Sequence, residues 1–578
     1  MAIPRRFTGH SSVESNAHQE PAVTQAEFAH PPANDIAKRV KLEGTGAAWC
    51  RWFALGLLIV IYVFNLLDRQ LLIVLAPYVK ADLKISDTQL GLLYGTAFAL
   101  FYGLFGVPLA KLSDGWSRVK ILAWSLSFWS VMTMLSGIST NFVQLTLARV
   151  GVGIGEASAS PAATSLLADY FPKRQRATVL GIYSTGTYIG AGISLILGGA
   201  IVAAWKHAFI GPASAPLGLA GWQAAFLCIG LPGPLLAAIT VLTLREPVRG
   251  TLEGIRQAES PTPFTSAMKE AASMLPPWSI LSIGVNGGSK RDVYSNIMWL
   301  VGILASIAVL TRITNSLLTS THNHAIFSLL GFGITSNLVQ WTAVGIGVYA
   351  AISWLQSMRL RDPVGHTLIA ASPAFLALAV GSGFVGIGIY SANAFVFRYA
   401  TQYLAFVPEN GIRLGIISAV VGTVGMILGG FLGDAAKRRH PAGRLYSVIV
   451  LYALFSAGTL AEFLTNNLAA FYAGYAASTL FLSMCSGSIL ATAQDLVLPR
   501  MRGAAFATVA LGTNIIGLGL GPYLVGLISD ITGNLRWGIL SVLFSLPGVF
   551  ITFRLAARYL PSAEFSLLAR ARAAGESI

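Results

Sequence analysis

The chain is 578 residues long, 54% hydrophobic and only 11% charged, with a net charge of +15. A soluble domain carries about 25% charged residues, so an ordinary soluble protein is excluded: these few charges cannot cover a water-facing surface, whereas lipid accepts apolar side chains all round a helix. The basic residues sit in small groups between apolar runs and form no long stripe, which argues against nucleic acid as a partner and for membrane topology as their cause.

In chain order, the first 48 residues are polar, carry Pro21, Pro31 and Pro32, and lack the basic, apolar, small order of a cleaved signal peptide. Residues 1–50 therefore read as a disordered cytoplasmic tail. A helix needs about 20 apolar residues to cross the hydrocarbon core. Runs of that length fall near 53–78, 89–112, 120–138, 142–168, 177–204 and 222–244, giving an N-terminal six-helix bundle over 51–246. The stretch 247–368 opens as a polar, proline-punctuated cytoplasmic linker up to Pro277. Two further apolar runs, near 294–313 and 325–355, read as an extra transmembrane hairpin with Arg312 in its turn; an amphipathic or re-entrant segment is the alternative, because the first run is short. Runs near 369–397, 412–435, 445–465, 468–496, 503–529 and 535–558 make a C-terminal six-helix bundle over 369–560, followed by a cytoplasmic tail at 561–578. The expected fold is an all-α membrane protein of about 14 transmembrane helices.

Short loops orient the chain, because cytoplasmic loops retain Lys and Arg. The joints after the second run (Lys111, Arg118, Lys120) and the fourth (Lys173, Arg174, Arg176) are basic, while Ser139-Thr140-Asn141 after the third has no charge. Both termini are expected in the cytoplasm. The halves echo one another: Asp169, Pro172 and Arg176 recur as Asp495, Pro499 and Arg502, displaced by 326, 327 and 326 residues, and Gly190 and Gly192 answer to Gly517 and Gly519. So steady a step points to a duplicated six-helix unit.

Ionisable groups at membrane depth are costly and are retained mainly for a site or pathway. Asp68 and Arg69 lie within the first run, and Arg149 and Glu156 within the fourth, seven residues apart, which is two turns or about 10 Å along one helix face. If these helices are neighbours, Asp68 meets Arg149 and Arg69 meets Glu156, each pair offsetting the desolvation of either charge alone. Two uses are open. The cluster is a static lock between helices, or an anionic solute binds the arginines while Asp68 or Glu156 takes up a proton, solute and proton competing for shared partners. Further polar groups on apolar runs, Tyr188, Tyr390, Asn393 and Asn514, are candidate solute contacts, and helix-helix hydrogen bonds are their structural alternative.

Other features read as structural. Gly151-Val152-Gly153-Ile154-Gly155 and Gly517-Leu518-Gly519-Leu520-Gly521 lack the Lys-Ser/Thr and preceding strand of a phosphate loop and read as packing faces. Cys50, Cys228 and Cys485 show no paired spacing, and His322 and His324 have no third ligand at useful spacing. No metal, cofactor or enzyme motif is expected.

The stretch Ala110-Lys111-Leu112-Ser113-Asp114-Gly115-Trp116-Ser117-Arg118-Val119-Lys120 resembles the signature loop of the major facilitator superfamily, and Gly430-Phe431-Leu432-Gly433-Asp434 echoes it in the second half. Leu67-Asp68-Arg69 together with Arg149 and Gly155-Glu156-Ala157-Ser158 is similar to the spinster-like branch. The resemblance implies two bundles rocking about a central site, some members of the branch exporting sphingoid or lysophospholipid phosphates. Carried to this chain, Asp68 and Glu156 become the protonation candidates and Arg69 and Arg149 their partners or anion contacts. It also implies a cytoplasmic latch that draws on Asp114, Arg118, Lys120, Asp169, Arg176, Asp434, Asp495 and Arg502. The loop departs from its pattern at Gly115, Ser117 and Val119, so a weaker latch is expected.

The expectation is a monomeric secondary transporter in a bacterial inner membrane, whose partners are a small organic solute, protons and the bilayer. A carrier of a sugar, aromatic acid or drug without proton coupling, and a non-transporting receptor on the same fold, are the alternatives.

Overall fold

The computed structural model describes residues 46–171, 179–180, 182–209, 214–247, 261–318, 325–329, 332–404, 411–498 and 501–576. The chain divides after Phe53 into two compact units, and within the first Trp49 stacks on Phe53 with ring centroids 5.5 Å apart.

The N-terminal half runs from α1 (Gly46–Leu83) to a short α2 (Asp87–Tyr94), which passes through a break at Gly95 into α3 (Thr96–Gly115). Ser86 starts α2 with a capping box, its hydroxyl accepting from the Gln89 amide while the Gln89 side chain accepts from the Ser86 amide. Next come α4 (Arg118–Gly137), α5 (Phe142–Glu156), α6 (Ala159–Tyr170), α7 (Gly186–Ala208), α8 (Gly221–Gly230) and α9 (Pro232–Thr243). The break between α5 and α6 corrects the reading of one unbroken helix over 142–168. Pro161 has no N–H to give the carbonyl of Ala157 one turn earlier, and its ring crowds that carbonyl, so the helix opens at Ala157-Ser158. Among the described residues thirteen helices are long and apolar enough to cross a membrane, and this segmented stretch stands beside them.

The insertion is more structured than its sequence implied. The polar linker folds into α10 (Pro263–Ala272) and α11 (Trp278–Val285), and α12 (Lys290–Leu317) is 28 residues, long enough for a crossing. Arg312 therefore lies inside α12 and not in a turn. The stretch expected to open the second helix instead holds two paired antiparallel strands, β1 (Ala325–Leu329) and β2 (Phe332–Thr335), with Phe327 opposite Ile334 and Leu329 opposite Phe332. The aromatic and β-branched residues Ile326, Phe327, Phe332, Ile334 and Thr335 favour that pleated backbone over a helix. Thr335 then caps α13 (Ser336–Arg361), its hydroxyl accepting from the Leu338 amide at 3.2 Å.

The C-terminal half comprises α14 (Pro373–Tyr403), α15 (Gly411–Arg439), α16 (Gly443–Leu464), α17 (Leu468–Asp495), α18 (Arg502–Gly512), a π turn over 513–518, α19 (Gly519–Thr532), α20 (Leu535–Leu540), α21 (Ser545–Phe565) and α22 (Leu567–Ala573). Two edges join the halves. At one, α2 and α3 pack on α19 and the π turn; at the other, α7 packs on α15. The inserted α13 covers the first edge: Thr96 of α3 bonds to the Gln340 side chain and donates to the Gly519 carbonyl at 2.7 Å, while Gln340 donates to that carbonyl at 2.9 Å. Tyr523 of α19 donates to Asn337 at 2.7 Å. On the outer side α12 exposes Met298, Trp299, Val301, Leu304 and Val309, side chains suited to lipid.

Glycines set how close these helices come. A Cβ on Gly153 would stand 2.7 Å from the Phe98 carbonyl, and one on Gly517 2.6 Å from Gly386, so both glycine runs are packing faces. At the uncovered edge a Cβ on Gly192 would lie 2.5 Å from the Gly415 carbonyl oxygen. Gly192→Val is therefore expected to cost this state about 1–3 kcal/mol by overpacking, read as a lower Tm of the purified protein. Gly106→Ala, at a site with open space, leaves the Tm unchanged or raised. An equal fall in both variants would show that helix contact at Gly192 is not what holds the edge.

Candidate functional site

The four charges predicted to meet do meet, with one changed pairing. Arg69 donates to the same oxygen of Glu156 from Nη2 at 3.0 Å and from Nε at 3.3 Å. Its guanidinium also lies over the rings of Phe98 and Tyr102 on α3, 4.3 and 4.8 Å from their centroids. Glu156 is wholly buried and its second oxygen has no hydrogen-bond partner among the described residues. Arg149 does not pair with the Asp68 carboxylate; it donates to the Asp68 backbone carbonyl at 3.3 Å. The Asp68 carboxylate lies beside Thr133 and Trp129 of α4 without hydrogen-bond geometry to either. A buried carboxylate left this way is costly unless a proton or a cation joins it.

A cavity of about 220 Å³ opens beside this cluster and takes its walls from both halves. Arg69 and Gln70 of α1, Tyr188 of α7, and Tyr390 and Asn393 of α14 line it. Of the predicted contacts, Arg69, Tyr188, Tyr390 and Asn393 are thus at its wall. Arg149 and Glu156 stand behind Arg69, and Asn514 is buried in the π turn, away from the lining.

Of the residues assigned to a cytoplasmic latch, Arg118 and Asp169 bond to each other within the N-terminal half, and Asp434 and Asp495 accept bonds within the C-terminal half. Arg118 is buried and donates to Asp169 at 2.5 Å, to Glu246 at 2.7 Å and to the Ser165 carbonyl at 3.1 Å. Arg444 takes the matching place, donating to Asp495 and to Asp434, each at 2.6 Å, while Lys437 bridges Asp495 and Glu564. Arg118 to Arg444 and Asp169 to Asp495 keep the step of 326 residues, so the repeat extends to its ion pairs. Lys120 is exposed. Arg176 and the side chains of Asp114 and Arg502 lie outside the described residues, as do His322 and His324.

The charges that do join the halves were missed by sequence reasoning. Asp87 pairs with Lys80 at the end of α1 and with Arg398 of α14, and accepts from the Ser529 hydroxyl at 2.7 Å. Asp530 of α19 accepts in turn from the amides of Asp87 and Thr88 at 3.1 and 2.7 Å, at the positive end of α2. In the sequence these residues flank apolar runs and look like solvated loop charges; no spacing links Asp87 to Asp530. Glu462, near the end of α16, also lines the cavity and was missed.

Residues 58–522 match the family model described as Major Facilitator Superfamily. An MFS-type efflux pump of Mycolicibacterium smegmatis is 25% identical over 485 residues, 83% of this chain and 84% of that protein. Protein spinster homolog 1 of Xenopus laevis is 28% identical over 274 residues, 46% of this chain and 48% of that protein. A hexuronate transporter of Bacillus subtilis is 33% identical over 150 residues, 26% of this chain and 35% of that protein. The chain thus spans less than half the length of these spinster and sugar-acid relatives. The solved structure of a bacterial homolog to the human lysosomal transporter spinster, inward-facing and unoccupied, superposes with a TM-score of 0.59 at 24% identity, covering 90% of this chain and 98% of that one. The likeness to the spinster-like branch seen in the motifs is shared by these relatives, and with a family match across most of its length the chain belongs to the Major Facilitator Superfamily.

Proposed function

We propose that this chain carries an organic anion across the membrane by alternating access and couples that movement to protons through Asp68 and Glu156. One observation carries the reading: Arg69 lines the cavity while its charge is held by a single oxygen of a buried Glu156. An anion entering the cavity competes for that guanidinium. A Glu156 released from Arg69 is an unpaired carboxylate in an apolar surround, a state relieved by taking up a proton. Binding of solute and proton are then linked through shared partners. The bundles over 51–246 and 369–560 are the moving bodies, and Asp87, Arg398 and Asp530 close one end of the path between them. The basic loops put both termini in the cytoplasm of a bacterial inner membrane, and the chain acts as a monomer.

The apolar part of the lining, with Leu66, Ile73 and Leu195 beside the tyrosines, favours an amphipathic anion such as a lysolipid or sphingoid phosphate. Relatives described as hexuronate and galactarate/D-glucarate transporters favour a second reading, a compact sugar acid held by Gln70, Thr187 and Asn393. Both readings place the anion on Arg69. Proteoliposomes loaded with a pH dye and offered lysolipids, sphingoid phosphates, hexuronates and aromatic acids are expected to show a pH change with one class only, abolished by Asp68→Asn. Solute movement without proton movement defeats the coupling.

A further inference from the structure

The mechanism above leaves one buried carboxylate of the cavity unused. Glu462 on α16 is 1% exposed, and among the described residues its one hydrogen bond to a side chain is from the Ser478 hydroxyl of α17 at 2.7 Å. No Lys, Arg or His stands within ion-pair distance of it among the described residues. The bases at this end of the C-terminal half are turned elsewhere: Arg413 lies over the Tyr472 ring, and Arg536 bonds to the Tyr399 hydroxyl and to Asn466. The position is tightly built, since a Cβ on Gly474 of α17 would come within 2.6 Å of the Glu462 backbone. Glu462 and Ser478 open on the same cavity as Arg69, with Phe455 and Tyr475 beside them and Ile73 and Leu482 also in the lining.

We infer that Glu462 and Ser478 form a second binding subsite that receives an ammonium group of the cargo. The inference rests on the proposed anion contact at Arg69 and narrows the substrate class to amphipathic zwitterions, anionic on the Arg69 side and cationic on the Glu462 side. An ionised carboxylate buried without a cation is strongly unfavourable, and a cation-bearing ligand supplies the missing charge. Tyr475 and Phe455 in the same lining suit a primary or quaternary ammonium, which binds aromatic rings as well as carboxylates. Beside a plain anion Glu462 is neutralised by a proton and contributes little, whereas an ammonium group pairs with its carboxylate, so the cavity discriminates between ligands that share a phosphate and a tail.

The test is equilibrium binding to the purified full chain in nanodiscs, by intrinsic tryptophan fluorescence, with three probes of equal tail: octyl phosphate, octylphosphocholine and octyltrimethylammonium. The unmodified protein is expected to bind octylphosphocholine roughly tenfold or more tighter than octyl phosphate. Glu462→Gln, which keeps the shape and the Ser478 contact, is expected to erase that difference while octyl phosphate binds as before. Glu462→Asp, with the charge retained, keeps part of it and covers the case in which the glutamine variant does not fold. No preference for octylphosphocholine in the unmodified protein, or a preference that survives Glu462→Gln, overturns the subsite. Octyltrimethylammonium bound in a Glu462-dependent way while octyl phosphate is not bound at all would retire the anion contact at Arg69 and leave the ammonium subsite standing.

Discussion

Glu156→Gln is expected to lower solute-driven proton movement in proteoliposomes by about 100-fold or more, while exchange of labelled solute across the same membranes persists. The size follows from breaking a buried ion pair, worth about 3–5 kcal/mol when one partner is removed, with each 1.4 kcal/mol a factor of ten. In the proposed mechanism Arg69 is shared between Glu156 and the cargo, and Glu156 takes up a proton when the cargo wins. An amide at 156 carries no charge to exchange. Arg69 then stays open to anions in every conformation, so cargo binds at least as tightly and leaves more slowly, and the pH dye reports nothing. Proton movement at the parental rate in this variant would remove Glu156 from the coupling path and leave the cluster as a helix lock.

Asp87→Asn is expected to shift the resting protein away from this conformation by about 3 kcal/mol, roughly a 100-fold change in the ratio of the two states. The carboxylate holds Lys80, Arg398 and Ser529 at once, from α1, α14 and α19. The amide presents one neutral acceptor to two cations and leaves both uncompensated in a crowded place. Spin labels at Lys84→Cys and Thr532→Cys, both exposed beside this lock, read the change as a longer and broader distance distribution. Asp530→Asn acts in the same direction through the α2 amides, with a smaller effect because hydrogen bonds to neutral acceptors replace charge-assisted ones. An unchanged distribution in Asp87→Asn would mean that helix packing alone closes this end.

The lipid environment made much of the fold legible. Apolar runs of the right length located the helices, since a bilayer admits few other backbones, and the displacement of 326 residues that linked Asp169 to Asp495 also fixes the partners of Arg118 and Arg444. The break at Ala157-Ser158 was hidden because periodicity does not register one missing N–H at Pro161. The paired strands β1 and β2 were hidden because their residues are as apolar as a membrane helix. In the site, Arg69 and Glu156 were legible from their cost at membrane depth. Glu462 was not, because it stands near the end of an apolar run where a carboxylate reads as a loop boundary, and the lock at Asp87 was not, because its partners come from three separate segments.

The two edges of the interface differ in kind. At α3 and α19 the halves share a third body: Gln340 of the insertion reaches the Gly519 carbonyl that Thr96 also holds. At α7 and α15 they meet through glycine faces at Gly192 and Gly415. Tyr188 packs on Gly422 and Ile196 on Gly415 at this edge, so it is held by close, non-directional packing, whereas the junction at the Gly519 carbonyl is directional. In the rocking motion proposed above, the directional junction at the insertion is the natural pivot and the non-directional glycine edge is the side that slips; the insertion acts on the machine as the spine of a book acts on its covers.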